Sequence, residues 1–454
     1  MRSDVSRLRL LLLNKMERKD CIMIAKNISI GENGHVYFAG QDTIVLAQEY
    51  GTPLYLLDEE MIRSNCRVYK NAFKKHFGEG SCPLYASKAN AFKRIFEIMS
   101  EEEMGIDVVS SGEIYTALQA GYDLKKAYFH SNNKTDKDIS YAMDNNIGYF
   151  VADNIEEVKA IEREAEQRGI KQKLLLRLTP GIDPHTYEAV STGKVDSKFG
   201  SAIETGQADE ITRYTLNQSH IELAGFHCHV GSQVFAEDVF ERAAAIMLKF
   251  AAEMKRKYGY ITQQLDLGGG YGVRYVDSDP FLDVDKKVSE VAAAITDSCN
   301  SLGIEMPEIH MEPGRSIVGA AGMTLYTVGT VKTIPGYKNY VSIDGGMPDN
   351  PRYALYKSSY TCFLANKIQE DCDFKCSIVG RCCESGDIIQ ENVMLPQSVT
   401  RGDFVAVCTT GAYNYSMASN YNRIPRPPIV MLCDGRSYVA VRRESMEDLC
   451  RNDL

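Results

Sequence analysis

The residue with the most distinctive chemistry is Lys88, which ends a short apolar stretch at residues 82–87. A helical pattern follows it, carried by four apolar residues on one face: Phe92, Ile95, Phe96 and Met99. A lysine between a strand and a helix lies where α/β proteins bind ligands. Its amine loses a proton readily when desolvated and can then act as a Schiff-base nucleophile. Lys88 could equally be an ordinary surface lysine, so its role depends on the other residues.

Polar residues and glycines lie within or directly after later apolar runs, at Asp107, Arg177, His227, His229, Gly268, Gly269, Gly270, Glu312 and Arg315. Three consecutive glycines after a strand allow backbone N–H groups to approach an anion closely. Ser232, Gly314 and Arg315 offer further phosphate donors from neighbouring runs. This part of the sequence therefore predicts either a phosphate site or a tight turn.

Glu312 lies on the last of these runs, where a carboxylate could keep a heterocyclic nitrogen protonated. A lysine, a phosphate site, an aromatic stacking group and a carboxylate are the parts that a pyridoxal phosphate site requires. The first hypothesis is therefore a site for this cofactor, with Lys88 and Glu312 as two of its groups.

The second hypothesis is a metal site. His227 and His229 alternate, which predicts that both point to the same side of a strand. They could hold a divalent metal, with His310 or Asp266 completing the ligand set. The protein would then be a metal-dependent hydrolase, in which Lys88 and the glycine-rich loop would have no role. His227 could also be a packed core histidine.

Eight short apolar runs alternate with helical segments along the first two thirds of the chain. The runs lie at 84–87, 106–110, 126–130, 147–151, 173–178, 222–228, 263–267 and 308–312, with helices predicted at 135–144, 154–168, 236–258 and 283–301. This alternation predicts a parallel sheet, and eight units match a closed (β/α)8 TIM-type barrel of the α/β class. An open doubly wound sheet is the alternative.

The pattern changes after about residue 316, where apolar runs lack long helices between them. These runs lie at 324–331, 340–343, 377–379, 404–408, 429–432 and 438–441 and predict a second, mainly antiparallel β domain. Residues 24–49 share this pattern, with a hairpin signature at 31–34, and are predicted to join it. The predicted organisation is an N-terminal extension at 1–22, a barrel at 50–315, and a β domain of 24–49 and 316–454.

Composition narrows the classes of function. The chain has 454 residues and a net charge of −10, which argues against a nucleic-acid-binding surface. No stretch approaches the roughly 18 apolar residues of a membrane span. The 13 cysteines show no repeated zinc-like spacing, which predicts reduced thiols and a cytoplasmic location.

Ordered motifs along residues 27–450 resemble the alanine-racemase-like, barrel-type pyridoxal-phosphate decarboxylases. They lie at 85–90, 107–113, 196–200, 225–233, 266–272, 312–315, 344–347, 352–356, 383–387 and 411–413. Each motif alone is modest evidence for this family, whereas so many motifs in the same order are specific to it. Within the family, the chain is most similar to members that decarboxylate meso-2,6-diaminopimelate to L-lysine and CO2. Tyr187 and Tyr353 depart from the family pattern, since many members have His and Pro there.

The resemblance implies a role for each matching residue. Lys88 would bind pyridoxal 5′-phosphate covalently, His229 would stack on its ring, and Glu312 would pair with the ring nitrogen. Other cofactor-binding positions would be Asp107, Ser232, Gly268, Gly269, Gly270, Gly314, Arg315 and Tyr413. The substrate would be held by Arg315, Arg352, Tyr356, Glu384 and Tyr413. Cys383 matches the family's catalytic cysteine, which the partner subunit of a homodimer supplies, and Cys383 or Lys88 would return the proton.

The substrate that the resemblance implies is a small amino acid whose distal end carries both a carboxylate and an amine. Arginines suit the carboxylate through bidentate pairing, and Glu384 suits the amine. Ornithine would need no cation for a distal carboxylate. The alternatives are a related decarboxylase for D-ornithine, D-lysine or carboxynorspermidine and, more distantly, a metal-dependent barrel hydrolase or a non-catalytic homologue.

Overall fold

The structure is a computed structural model that describes residues 24–182, 196–236 and 238–454. The predicted extension at 1–22 and Tyr187 lie outside these residues. The chain forms two compact units. The barrel unit contains residues 63–272 and 282–317, and the β unit contains the residues up to 62 together with 273–281 and 318–454.

The barrel unit is built on eight parallel strands. They are Cys82–Ala86, Gly105–Val108, Ala127–Phe129, Tyr149–Ala152, Gln172–Thr179, Ile221–His227, Gln264–Asp266 and Glu308–Met311. Each strand pairs with the next and the last pairs with the first, which confirms the predicted closed barrel and makes the open-sheet alternative wrong. The short strand Ser201–Ala202 also pairs in parallel with the fifth barrel strand.

Helices precede, connect and follow these strands. They are Glu59–His76, Lys93–Glu101, Ser111–Gln119, Asp136–Asp144, Ile155–Arg168, Gln207–Leu216, Val239–Tyr258, Val284–Leu302 and Arg315–Val318, with 3-10 turns at Ser87–Ala89 and Leu124–Lys126. The four predicted helices are confirmed, each to within one turn. Val239–Tyr258 buries its predicted apolar stripe, and the Phe250 ring lies 5.2 Å from the Phe226 ring of the sixth strand. Burial of such an apolar face supplies most of the stability of a helix.

The β unit is a mainly antiparallel sheet, as the sequence predicts. Its strands are Leu54–Asp58, Gly322–Ile334, Lys338–Ile343, Cys362–Leu364, Cys372–Val379, Ile388–Pro396, Phe404–Cys408, Ile429–Cys433 and Arg436–Val441. Its helices are Thr43–Tyr50, Arg352–Tyr356 and Met446–Cys450, with 3-10 turns at Tyr415–Met417 and Tyr421–Arg423. The sequence did not predict Ile388–Pro396, because polar residues interrupt its alternation of apolar residues. In the structure, Asn392 has a φ of +57° where the pairing with Cys372–Val379 is irregular.

The N-terminal segment of the β unit forms the predicted hairpin, Ile28–Ile30 with Val36–Phe38, extended by Gln41–Asp42. The domain boundary differs from the prediction at the next strand. Leu54–Asp58 pairs with Gly322–Ile334 and Ile429–Cys433, so it belongs to the β unit and not to the barrel. All five of its residues are buried, which gives it the continuous apolar pattern of a barrel strand.

Within the described part of the chain, no helix is both long enough and apolar enough to cross a membrane.

Candidate active site

Lys88 lies in the 3-10 turn Ser87–Ala89, directly after the first barrel strand. Its side chain is 42% exposed, and its Nζ lies 3.7 Å from Oδ2 of Asp107 on the second strand. Burial raises the pKa of Asp107, and the charge of Lys88 opposes that rise. Glu113 fixes the turn, since it accepts a hydrogen bond from Ser87 Oγ at 2.8 Å. Lys88 therefore presents an amine that solvent can reach beside a buried carboxyl group.

Glu312 lies directly after the last barrel strand and is only 3% exposed. Two buried histidines face its Oε1: His130 Nε2 lies 2.9 Å away and His227 Nε2 lies 3.2 Å away. Burial by itself would raise the pKa of Glu312, but the two histidines hold that pKa well below its usual value. Glu312 is therefore an ionised carboxylate in a site that water hardly reaches.

Asp266 ends the seventh strand and completes this cluster. Polar atoms of Asp266, Glu312, His130 and His227 all lie within 4.8 Å of one another. Burial, together with the negative charge of Glu312, raises the pKa of Asp266 well above its usual value. Of the two carboxyl groups, Glu312 is therefore the one that favours the charged form, and Asp266 is the one that favours the protonated form.

His229 lies two residues beyond the sixth strand, which ends at His227. The prediction that both histidines lie on the strand is therefore wrong. The Nδ1 atom of His229 accepts a hydrogen bond from Gly269 N at 3.1 Å. Burial and the charge of Lys88 lower the pKa of His229 well below its usual value. The ring at this position is therefore neutral.

The glycine-rich loop is held by close backbone packing. A Cβ at Gly269 would overlap the backbone oxygen of Glu312, and Gly270 has a φ of +115°, which other residues rarely adopt. The N–H group of Gly268 donates to Asp266 Oδ1 at 2.8 Å, and that of Gly269 donates to His229. Two of the three N–H groups that the sequence placed near a phosphate thus already have protein acceptors.

Arg315, the first residue of a short helix, and Ser232, in a loop, bring donor groups together. Arg315 Nη2 donates a hydrogen bond to Ser232 Oγ at 2.9 Å, and Arg315 is 8% exposed. Gly314 packs so closely that an added Cβ would lie 2.8 Å from the Cβ of Ala86. A guanidinium beside a hydroxyl group is well suited to bind a phosphate or a carboxylate.

The ligand set of the predicted metal site comes together only in part, because His227 and Asp266 lie in one cluster with Glu312. His229 contacts Gly269, and His310 Nδ1 lies 3.1 Å from the backbone oxygen of Cys82. His227 lies in the Glu312 cluster, but its Nδ1 has no hydrogen-bond partner among the described residues. Histidines that bind a metal almost always donate their second N–H to an acceptor. The geometry therefore does not support the hydrolase alternative.

The remaining predicted site residues lie in the β unit: Arg352, Tyr356, Cys383, Glu384 and Tyr413. Arg352 is buried, donates to the Tyr360 hydroxyl at 2.8 Å and lies 4.7 Å from the centre of the Tyr275 ring. Tyr356 is half-buried, whereas Cys383 and Glu384 are exposed. Tyr353, which departs from the family pattern, is buried and donates to Glu391.

The loop that carries Cys383 is fixed by a buried carboxylate. Asp387 accepts hydrogen bonds from Cys382 N at 2.7 Å and from Met347 N at 2.6 Å. Cys383 N donates to Asn422 Oδ1 at 3.0 Å. The exposed thiol is therefore attached to a backbone that neighbouring residues hold in place.

Two residues that follow the third barrel strand, His130 and Lys134, were not predicted as site residues. His130 follows the third strand directly, so the strand-end rule that identified Lys88 could also have identified it. Lys134 is fully buried, donates to Val151 O at 2.8 Å and forms an ion pair with Glu157. Burial lowers the pKa of Lys134 and raises that of Glu157. The pair anchors the loop that carries His130.

Replacing Lys134 with methionine is expected to lower the free energy of unfolding by about 3 kcal/mol, because Glu157 would be left buried without its partner. Urea unfolding followed by far-UV circular dichroism measures this change. Lys159→Met is the matched control, since Lys159 forms an exposed ion pair with Glu156, and exposed pairs contribute little to stability. If the two variants lost the same free energy of unfolding, the buried pair would contribute no more to stability than the exposed pair.

These groups fit a pyridoxal phosphate cofactor. Both carboxylate oxygens of Asp107 are buried without a hydrogen bond to any described residue. Buried polar atoms without partners are rare, and they mark places where another polar group can bind. A lysine amine, an ionised carboxylate and the Arg315–Ser232 pair all follow strands of one closed barrel. Fold and site together define a barrel-type pyridoxal-dependent enzyme.

Comparison with known proteins agrees with this class. The family model described as "Pyridoxal-dependent decarboxylase, pyridoxal binding domain" matches residues 59–319. Diaminopimelate decarboxylase of Bacillus subtilis is 42% identical over 93% of this chain and 96% of its own length. The Staphylococcus aureus enzyme of the same name is 43% identical over 94% of this chain and 99% of its own length.

A solved structure shows the same relationship. Diaminopimelate decarboxylase from M. jannaschii, in a co-complex with L-lysine, superimposes with a TM-score of 0.87 at 32% identity and covers 95% of this chain and 98% of its own. The chain belongs to the diaminopimelate decarboxylase family of pyridoxal-dependent decarboxylases. The predicted family and reaction class are thereby confirmed.

Proposed function

We propose that this chain decarboxylates meso-2,6-diaminopimelate at its D centre to give L-lysine and CO2, with pyridoxal 5′-phosphate as its cofactor. The observation that carries the proposal is the placement of Lys88 and the ionised Glu312 at strand ends of one barrel, in a chain of this family. When bound, the cofactor supplies an electron-withdrawing ring that accepts the electron pair left behind as the carboxylate departs.

Lys88 would bind the cofactor covalently and later exchange places with the amine of the substrate. Asp107 supports this role, because its Oδ2 lies 3.7 Å from Lys88 Nζ and can hold or return a proton there. His229 offers a neutral ring face for stacking. Glu312 would pair with the ring nitrogen through its negative charge and so stabilise the electron-rich state.

The phosphate would be bound mainly by Arg315 and Ser232. Their side chains already meet at 2.9 Å, and an anion between them would gain charge-assisted hydrogen bonds. Gly270, Gly314 and Tyr413 are proposed to complete this site. Gly268 and Gly269 would contribute by allowing close packing, since their N–H groups donate to protein acceptors.

The substrate would be recognised by Arg315, Arg352, Tyr356, Glu384 and Tyr413. Arg352 suits the distal carboxylate because Tyr360 and Tyr275 hold its guanidinium in place. The exposed carboxylate of Glu384 suits the distal amine. We expect Cys383 to act in the site of the partner subunit of a homodimer, where its thiol or Lys88 returns the proton. A cytoplasmic location is expected, since every cysteine that the structure describes is a free thiol.

Release of CO2 from a panel of amino acids tests the substrate. We expect turnover of meso-2,6-diaminopimelate to exceed that of D-lysine, D-ornithine and carboxynorspermidine, because these offer no matching distal carboxylate and amine together. A preference for any of these three compounds would contradict the proposed substrate while leaving the reaction class intact. If no compound of the panel released CO2, meso-2,6-diaminopimelate included, the proposed function itself would be contradicted.

Mixed dimers test the shared site. Lys88→Ala and Cys383→Ala subunits are each expected to be nearly inactive alone. Mixed in equal amounts, they should recover about a quarter of the wild-type rate, because half of the dimers are mixed and each contains one intact site. Recovery is measured as CO2 release after subunit exchange. A mixture that stays inactive, or a fully active Cys383→Ala homodimer, would contradict the shared site.

A further inference from the structure

His130 and His227 reach Glu312 from two different strands. His130 follows the third strand, and its backbone N–H donates to Val108 O at 2.8 Å. His227 is the last residue of the sixth strand. Their rings meet edge to face at 4.8 Å, and the side chains are 7% and 1% exposed. Two parts of the barrel scaffold therefore bring imidazole rings to one carboxylate.

The polar atoms that face one another lack well-aligned hydrogen bonds. Nε2 of each histidine lies within 3.2 Å of Glu312 Oε1, and none of these three atoms has a hydrogen bond of ordinary geometry among the described residues. Burial lowers the pKa of His227 to about 3, so this ring is neutral and contributes an N–H dipole. In many enzymes such contacts align fully only when the ligand is bound.

The surroundings explain why Glu312 needs this support. Burial raises the pKa of two other carboxyl groups, Asp266 and Asp107, and the negative charge of Glu312 raises both further. Without donors, a buried carboxylate beside other acids would take up a proton. Donors that bind the charged form reverse this preference, which agrees with the low pKa of Glu312.

We propose that His130 and His227 are positioning residues that keep Glu312 ionised and oriented for the ring nitrogen of the cofactor. This inference rests on the proposed function. The proton shared by Glu312 and the ring nitrogen goes to the more basic partner. With both histidines present Glu312 is the weaker base, so the nitrogen stays protonated. Without them Glu312 becomes more basic, and the ring loses part of its electron-withdrawing power.

The test uses holoenzyme loaded with cofactor labelled with 15N at the ring nitrogen. In the wild type, the 15N chemical shift should be that of a protonated nitrogen. His227→Leu and His130→Leu should move it toward the neutral value and lower kcat about 10- to 100-fold with little change in KM, the size seen for supporting groups at metal sites. His227→Gln and His130→Gln keep an N–H donor and should recover the shift and most of kcat.

His310→Leu is the matched control, because His310 is equally buried on the last strand but contacts Cys82. It should keep the wild-type 15N shift. Where His227→Leu or His130→Leu does not fold, His227→Asn or His130→Asn replaces it, since the shorter asparagine side chain cannot reach Glu312.

Several results would overturn the inference. One is a leucine or asparagine variant with the wild-type 15N shift, and another is a glutamine variant that fails as the leucine variant does. A stoichiometric metal ion bound by the two histidines would also overturn it. A wild-type protein that binds no cofactor would overturn the proposed function as well, so the two failures can be told apart.

Discussion

Replacing Lys88 with alanine is expected to abolish decarboxylation and the visible absorption of the bound cofactor. The loss in kcat/KM should be at least about 10³-fold, because the amine serves both as the covalent anchor and as a proton-transfer group. The position supports this expectation, since Lys88 combines an accessible side chain with a buried acidic neighbour, Asp107. Absorption spectra and CO2 release measure the two effects on one preparation.

Lys93→Ala provides the control for this result. Lys93 begins the helix that follows the turn, is exposed and lies five residues from Lys88. This variant should keep both the absorption and the rate. A Lys88→Ala protein that retains the visible band and more than a tenth of the wild-type rate would mean that another amine holds the cofactor.

Glu312→Gln is expected to lower kcat by about 10²- to 10³-fold, the loss typical when one preorganised electrostatic contact is removed. Glutamine keeps the shape of the side chain but removes the negative charge that would hold the ring nitrogen protonated. KM for the substrate should change little, because the proposed substrate residues are different. Steady-state CO2 release at several substrate concentrations separates the two constants.

Glu308→Gln is the control, because Glu308 lies on the strand that Glu312 directly follows. Glu308 begins that strand, is exposed and accepts a hydrogen bond from Gln264 at 3.1 Å. Its loss should leave kcat within about threefold of the wild type, as expected for a surface substitution. If Glu312→Gln kept the wild-type kcat, the charge on Glu312 would have no part in the chemistry.

The barrel could be predicted from the sequence because its strands are short, mostly buried and largely apolar runs that alternate with helical segments. The same reasoning misplaced the strand Leu54–Asp58. This strand is also buried on both faces, and no local feature distinguishes a barrel strand from the central strand of another sheet. Its partners, Gly322–Ile334 and Ile429–Cys433, lie far along the chain and can be identified only in the fold.

The site could be predicted in part. Strand ends indicated Lys88, Glu312 and Arg315, and the family resemblance implied the role of each. The cluster around Glu312 could not be predicted, because His130 and His227 come from distant strands and converge only when the barrel closes. The sequence also placed His229 on the sixth strand. That strand ends at His227, so the two rings have different partners.

The central claim is that Lys88 binds the cofactor. Protein loaded with pyridoxal 5′-phosphate can be reduced with borohydride, digested and analysed by mass spectrometry, which locates the modified lysine. One modified peptide is expected, with the reduced pyridoxyl phosphate group on Lys88. A modification on a different lysine, or none after loading and reduction, would contradict it.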